Sequence, residues 1–194
     1  MKGLYTLVII LVLFYCNLCY SQDSITIYQN NKIHLERNSM RVLGTWGLAN
    51  ISTGLIAYNN SSGTAKYFHK MNAMWNTANV GLALIGILSS NNKILTQDQQ
   101  IKKQGTLEKV FKINTFLDLG YVATGFYLQH RGNDTRSDKL KGYGSSVILQ
   151  GTFLFVFDAI MYNLESKNGK LLTTIRNNSQ LTFNLNGISF TKRL

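Results

Sequence analysis

The stretch of residues 68–79, F-H-K-M-N-A-M-W-N-T-A-N, constrains the fold more than any other part of the chain. On a helix, which turns by about 100° per residue, four of its polar residues lie on one narrow stripe. These are His69, Asn72, Asn76 and Asn79. The residues after them, 80–88, are almost wholly apolar. Side-chain amides in contact with lipid would be costly, so we expect this stripe to face a protein interior, a water-filled cavity or a partner helix.

Three further segments have the same character. Helical segments are predicted at 33–58, 65–88, 107–129 and 143–163. Each holds an apolar run of about 17 to 20 residues, the length that crosses the hydrocarbon of a bilayer. Each also has one polar stripe and an apolar back. The pattern predicts an all-α fold, a four-helix transmembrane bundle over residues 33–163 whose polar side chains point inward.

The polar stripes supply the candidate polar-core or ligand-binding residues. They are Trp46, Asn50, His69, Asn72, Trp75, Asn76, Asn79, Asp118, Tyr121, Gln150 and Asp158. A carboxylate inside a membrane indicates a proton relay, a cation site or a ligand anchor. The structural alternative is that Asp118 and Asp158 pair with Arg41 and the asparagines to hold the bundle in register. Arg37 is a second arginine expected at the same mouth.

The N-terminal residues 1–21 have the pattern of an export signal. Lys2 precedes an apolar run, and the small residues Cys19 and Ser21 occupy the minus-three and minus-one positions of a cut after Ser21. An uncleaved anchor helix is the alternative. Both cysteines lie in this segment, so the mature chain would have no disulfide, thiolate metal site or cysteine nucleophile. Residues 22–32 are predicted to be extended, with a short strand at 24–28.

The C-terminal residues 164–194 are predicted to form a tail that ends in a β-hairpin at about 181–192. Asn186-Gly187 favours the two-residue type I′ turn. That turn would place Leu185 opposite Ile188 and Phe183 opposite Phe190. Because a lone hairpin is marginally stable, we expect it to dock on the helix ends and to recruit residues 25–28 as a third strand.

Several function classes are disfavoured by composition. The net charge is +11, but the 20 Lys and Arg residues are spread over every polar connection. An anionic membrane surface therefore explains the charge better than nucleic acid does. No phosphate-binding loop or nucleophile elbow is present, and the histidines do not converge into a metal set. We expect no enzyme activity, metal or cofactor; a haem held by His69 and His130 is the remaining alternative.

One group of residues resembles an uncharacterised family of short bacterial membrane proteins. The resemblance covers residues 34–163, and its most specific part is the run Phe-His-Lys-Met-Asn-Ala-Met-Trp-Asn at 68–76. Its other parts are Asn79, Trp46, Asn50, the run Leu117-Asp118-x-Gly120-Tyr121, and the run from Gln150-Gly151-x-Phe153-Leu154 to Asp158. The resemblance implies an export signal followed by four transmembrane helices, and it implies no activity.

The resemblance and the signal pattern together predict a location in a bacterial inner membrane, with both mature ends on the outer, periplasmic side. That orientation leaves most Lys and Arg outside, against the positive-inside rule, so a reversed topology or an incompletely embedded bundle stays open. The predicted role is non-enzymatic, either structural or partner-binding, with the lipid bilayer, a membrane protein or a second copy as partners. The alternative is binding or transport of a small ligand, proton or cation in the polar core. A bundle exported to the membrane surface is a third class.

Overall fold

Four long helices make up most of the protein. The computed structural model describes residues 2–90, 95–178, 181–184 and 187–190. Its helices are α1 (Lys2–Asn59), α2 (Gly63–Ser89), α3 (Gln97–Asp134) and α4 (Asp138–Asn178). The chain has no proline, so every backbone N–H is available for the helical ladder, and α1 runs for 58 residues. The prediction of an all-α four-helix fold is confirmed.

Besides α1, which begins at Lys2 rather than residue 33, two helices extend well past their predicted ends. The third helix was predicted to begin at residue 107, but α3 begins at Gln97. A capping box fixes this start: the Gln99 backbone N–H donates to Thr96 Oγ1, and the Thr96 N–H donates to Gln99 Oε1 at 3.1 Å. The far end of α4 lies at Asn178 rather than near residue 163. The 38 residues of α3 span about 57 Å at 1.5 Å per residue, nearly twice the thickness of a bilayer core.

The helix α4 lies at the centre of the bundle. It packs against α3, α2 and α1, and α1 also packs along α2. Within the described residues, no Cα atom of α2 comes within 8 Å of one in α3. These two helices therefore flank α4 with an opening between them.

A pair of glycines permits the close crossing of α3 and α4. A Cβ atom on Gly125 would lie 2.8 Å from the carbonyl oxygen of Gly144, and a Cβ on Gly144 would lie 2.6 Å from that of Gly125. Both distances are shorter than a van der Waals contact. Only glycine fits at this crossing, and it brings the two backbones together.

The N-terminal part of the chain differs from the prediction. Residues 22–32 are helical, within α1, so the extended segment and the strand at 24–28 are wrong. Ile25 and Ile27 alternate with polar residues, as they would in a strand. The helix forms instead because it buries Tyr28 against α3, at 2% exposure. The export signal at 1–21 stays a prediction.

The tail also differs from the prediction. Strands β1 (Leu181–Asn184) and β2 (Gly187–Phe190) are antiparallel, and Phe183 is opposite Ile188 rather than Phe190. The predicted register is wrong by one residue on each strand, because Gly187 is part of β2 and not of the turn. The predicted third strand is absent, since residues 25–28 are helical. In the described part of the chain, the strands contact each other and no helix, so the expected docking is not found.

Fewer helices than predicted have the length and composition to cross a membrane. In the part of the chain that the structure describes, one helix is long and apolar enough to cross a membrane, α4 over Asp138–Ile175. Core helices of soluble proteins can pass the same test. The inward polar stripes lower the mean hydropathy of the other helices, so four crossings are not established by composition.

Candidate functional site

Four of the predicted residues form a closed ring of hydrogen bonds at the centre of the bundle. Trp46 donates its indole N–H to Gln150 Oε1 at 3.0 Å, and Gln150 Nε2 donates to Asn72 Oδ1. Asn72 Nδ2 donates to Asn50 Oδ1 at 2.8 Å, and Asn50 Nδ2 returns to the backbone oxygen of Trp46 at 2.8 Å. The ring joins α1, α2 and α4. Prediction from the helical stripes alone had placed these four residues inside.

The asparagine stripe of α2 continues from this ring towards the opening between α2 and α3. Asn76 Nδ2 donates to the backbone oxygen of Asn72 at 2.8 Å, and Asn79 Nδ2 donates to Asn76 Oδ1 at 3.0 Å. Both Asn76 and Asn79 are buried. The direction of these bonds leaves Asn79 Oδ1 as an acceptor to which no described group donates.

The opening between α2 and α3 is a groove of about 500 Å³. Its walls are mostly apolar, and its floor is α4, through Leu154, Phe157 and Asp158. Asn79 faces it from α2, and Asn114 and Asp118 face it from α3. This volume lies in the range that small-molecule sites usually have.

Asp118 and Asp158 meet at the base of this groove. They are only 3% and 5% exposed, and their carboxyl groups are within hydrogen-bonding contact. Two carboxyl groups so close share a proton, because two full negative charges there would repel each other. Asp118 Oδ2 is buried and has no hydrogen-bond partner. The pair is therefore an acceptor that carries up to one negative charge in an apolar groove.

An aromatic pair adds to the groove wall. The rings of Trp75 and Tyr121 meet edge to face, with centroids 5.0 Å apart and planes at 87°. This contact links α2 to α3, whose backbones are far apart here. Tyr121 is 40% exposed, so it belongs to the rim of the groove rather than to the buried core.

The arginines do not reach the acid pair. Arg37 donates to the backbone oxygen of Ser90 at 3.1 Å, and Arg41 is exposed and donates to Asn38. The expected pairing of Arg41 with Asp118 and Asp158 is therefore wrong. Among the described residues, neither aspartate has a cationic partner within 4.0 Å.

His69 is the one candidate residue that lies apart from both the amide ring and the groove. It is half-buried near the start of α2, and its ring meets that of Phe68 at a centroid distance of 5.2 Å. Across the part of the chain that the structure describes, no three His, Cys, Asp or Glu residues form a group that could hold a metal ion.

A second polar cluster was not predicted. Gln104 lies where the extended parts of α1, α3 and α4 meet, and its Oε1 accepts from the Tyr28 hydroxyl and from Lys32 Nζ, each at 2.7 Å. Its Nε2 donates to Glu165 Oε2 at 2.9 Å. Burial lowers the pKa of Lys32, and burial near glutamates raises the pKa of the Tyr28 hydroxyl.

The sequence did hold a signal for this cluster. Gln100, Gln104 and Glu108 follow a spacing of four, which puts them on one face if the helix begins before residue 100. The capping pattern at Thr96 and Gln99 marks that beginning. The predicted helix start at residue 107 left both signals outside the helix.

A family model matches residues 42–159, and its description is a family of unknown function, DUF6992. The matched span includes the amide ring, the acid pair and the groove wall from Leu43 onward. No curated protein and no solved structure gives a significant match.

Proposed function

The chain belongs to this family of unknown function, and we propose, from the geometry of its groove, that it is a membrane-embedded binding protein. The ligand is a small, largely apolar molecule that enters between α2 and α3 and directs its polar end to Asp118 and Asp158. The observation that carries this proposal is the almost fully buried carboxyl pair of Asp118 and Asp158, which lines a groove of about 500 Å³ and has no cationic partner within 4.0 Å among the described residues.

The location in a bilayer is supported by the distribution of side chains. Large apolar side chains are exposed on every helix, and several are more than half exposed. Examples are Leu55, Ile56, Leu82, Ile85, Phe116, Phe126 and Ile160. The amides of Asn76 and Gln150 are completely buried. A soluble monomer rarely exposes so much apolar surface, whereas lipid covers it without cost.

The amide ring holds the helices together, and the groove binds the ligand. Every amide nitrogen in the ring of Trp46, Asn50, Asn72 and Gln150 has a hydrogen-bond acceptor, so the ring offers a ligand little. The acid pair is different, because it faces open volume. Binding in the groove needs no enzyme chemistry, and the proposed role is non-enzymatic.

Two measurements test this proposal. Carbonate extraction of membranes should leave the protein in the pellet. For binding, the protein is reconstituted in vesicles of brominated phosphatidylcholine, whose acyl chains quench tryptophans that they touch. Trp75 lines the groove. Because Trp46 also fluoresces, the signal of Trp75 is obtained as the difference between the wild type and W75F. Dodecanol that displaces lipid from the groove should restore this fluorescence.

A matched pair of variants assigns the binding to the groove. Ala78 lines the groove, whereas Ala123 is exposed outside it. Ala78→Phe should fill the groove and weaken displacement by dodecanol at least about tenfold, equivalent to about 1.4 kcal/mol. Ala123→Phe should leave displacement unchanged. Equal behaviour of the two variants, or no displacement from the wild type, would overturn the proposal.

A further inference from the structure

The polar end of the groove presents acceptors. Asn79 uses its Nδ2 to donate to Asn76, so its Oδ1 is left at the groove without a donor. Asp118 Oδ2 has no partner. A carboxylate oxygen and an amide oxygen bind hydrogen-bond donors, and a ligand that offers only acceptors would leave both unsatisfied.

The charge of the site points in the same direction. Asp118 and Asp158 carry up to one negative charge, and neither has a cationic partner among the described residues. Arg37 and Arg41, the two cations that the sequence analysis expected at this site, are hydrogen-bonded elsewhere. An unpaired charge in an apolar site is costly. A ligand that brings a positive charge would remove this cost.

The rest of the groove limits the shape of that cation. A small inorganic cation would leave most of the volume unfilled, and the walls contributed by Leu82, Ile85 and Leu154 are apolar. Trp75 and Tyr121 add aromatic surface to the same wall. An ammonium group has three donors and one positive charge, which suits the acceptors at the base.

We infer that the groove binds an amphiphilic amine, with its ammonium group at Asp118, Asp158 and Asn79 and its apolar chain between α2 and α3. The inference rests on the proposed function, because it assumes that the groove takes a small molecule, and it adds the chemical class of that molecule.

The experiment compares two probes of equal chain length, dodecylamine and dodecanol, in the vesicle assay with Trp75. The vesicles are zwitterionic, and each probe is measured by its mole fraction in the membrane, so that partitioning does not enter the comparison. For the wild type, we expect dodecylamine to displace lipid at a mole fraction at least about tenfold lower than dodecanol.

The ratio of the two mole fractions, dodecanol over dodecylamine, should fall to near one in the variant D118N/D158N. The variant should keep its response to dodecanol, which shows that the groove is still folded. The control is Asp98→Asn, which changes an exposed acid in the first turn of α3 and should leave the ratio unchanged. If the double variant no longer responds to dodecanol, Asp158→Asn alone takes its place. In either case, the ratio measured for the wild type decides whether the groove prefers an amine.

The outcomes separate the two proposals. Equal displacement by the two probes from the wild type would refute the amine and leave the ligand-binding groove in place. Displacement by neither probe would refute the groove itself. A tenfold preference that survives in D118N/D158N would refute the acid pair as the ammonium site.

Discussion

The indole N–H of Trp46 donates to the side chain of Gln150 at 3.0 Å, across 104 positions of sequence. The Trp46 ring also stacks on Phe153, one turn further along α4, at 4.0 Å between centroids and 4° between planes. One side chain of α1 is therefore fixed against α4 by both its polar atom and its ring. The two helices share few close backbone approaches, so this contact contributes much of their alignment.

Replacing Gln150 tests the importance of the amide ring. Gln150→Leu would leave the Trp46 N–H and Asn72 Oδ1 without partners in the interior, and each such loss costs about 1–3 kcal/mol. We expect the free energy of unfolding, measured by titration with a denaturing detergent, to fall by roughly 2–4 kcal/mol. Thr152→Leu, an exposed change on the same helix, should have little effect. Equal losses in the two variants would show that the ring contributes no stability.

The burial of the asparagine stripe of α2 could be predicted from sequence because a polar stripe on an apolar helix has one stable placement. Asn72, Asn76 and Asn79 recur at helical spacing, and their amides had to be buried. Their partners could not be predicted. The bond from Gln150 to Asn72 depends on how α2 and α4 are rotated, and periodicity within one helix does not determine that rotation.

The groove and the Gln104 cluster show a second limit. Asp118 and Asp158 were both predicted as site residues, but their contact depends on α3 and α4 crossing at Gly125 and Gly144. Gln104 was missed because its helix was predicted to start too late. The hairpin register was missed because moving the two-residue loop by one position leaves the same residues on each face of the hairpin, so the alternating pattern does not distinguish the two registers.

The glycine crossing predicts opposite effects for two glycines of the same helix. At Gly125, an added Cβ would lie 2.8 Å from the Gly144 oxygen, so Gly125→Ala should lower the free energy of unfolding by about 1–3 kcal/mol. At Gly120, no atom lies within 4 Å of an added Cβ. Gly120→Ala should therefore be neutral or stabilise the protein by up to about 1 kcal/mol through helix propensity. Unfolding in detergent, followed by circular dichroism, measures both, and destabilisation by Gly120→Ala would contradict this account of the crossing.

The Gln104 cluster predicts that α1 separates from α3 when its central amide is removed. Gln104→Leu would leave the Tyr28 hydroxyl, Lys32 and Glu165 without their shared partner in a buried site. We expect faster hydrogen exchange in the part of α1 around Tyr28 and Lys32, with residues after 42 unaffected, because the amide ring holds that later part independently. Thr106→Leu, an exposed change on the same helix, is the control. Uniform acceleration over all four helices would instead indicate global destabilisation.

The final prediction concerns pH and Lys32. Burial holds the pKa of this lysine below its ordinary value of 10.5, so the unfolded chain binds the proton more tightly than the folded protein does. Stability therefore rises with pH through this titration, by about 1.4 kcal/mol for each unit by which the pKa is lowered. Lys32→Met removes the titrating group and keeps a chain of similar length.

The difference in unfolding free energy between the wild type and Lys32→Met should therefore shift in favour of the wild type from pH 7 to pH 10. Neighbouring charged groups are the same in both proteins; they are Glu36, Lys103, Glu108 and Glu165. The range stops at pH 10 because Tyr28, whose pKa is raised, lowers stability above it as tyrosine ionises in the unfolded chain. Parallel curves for the two proteins would show that the Lys32 proton is bound equally in both states, and that burial against Gln104 does not perturb it.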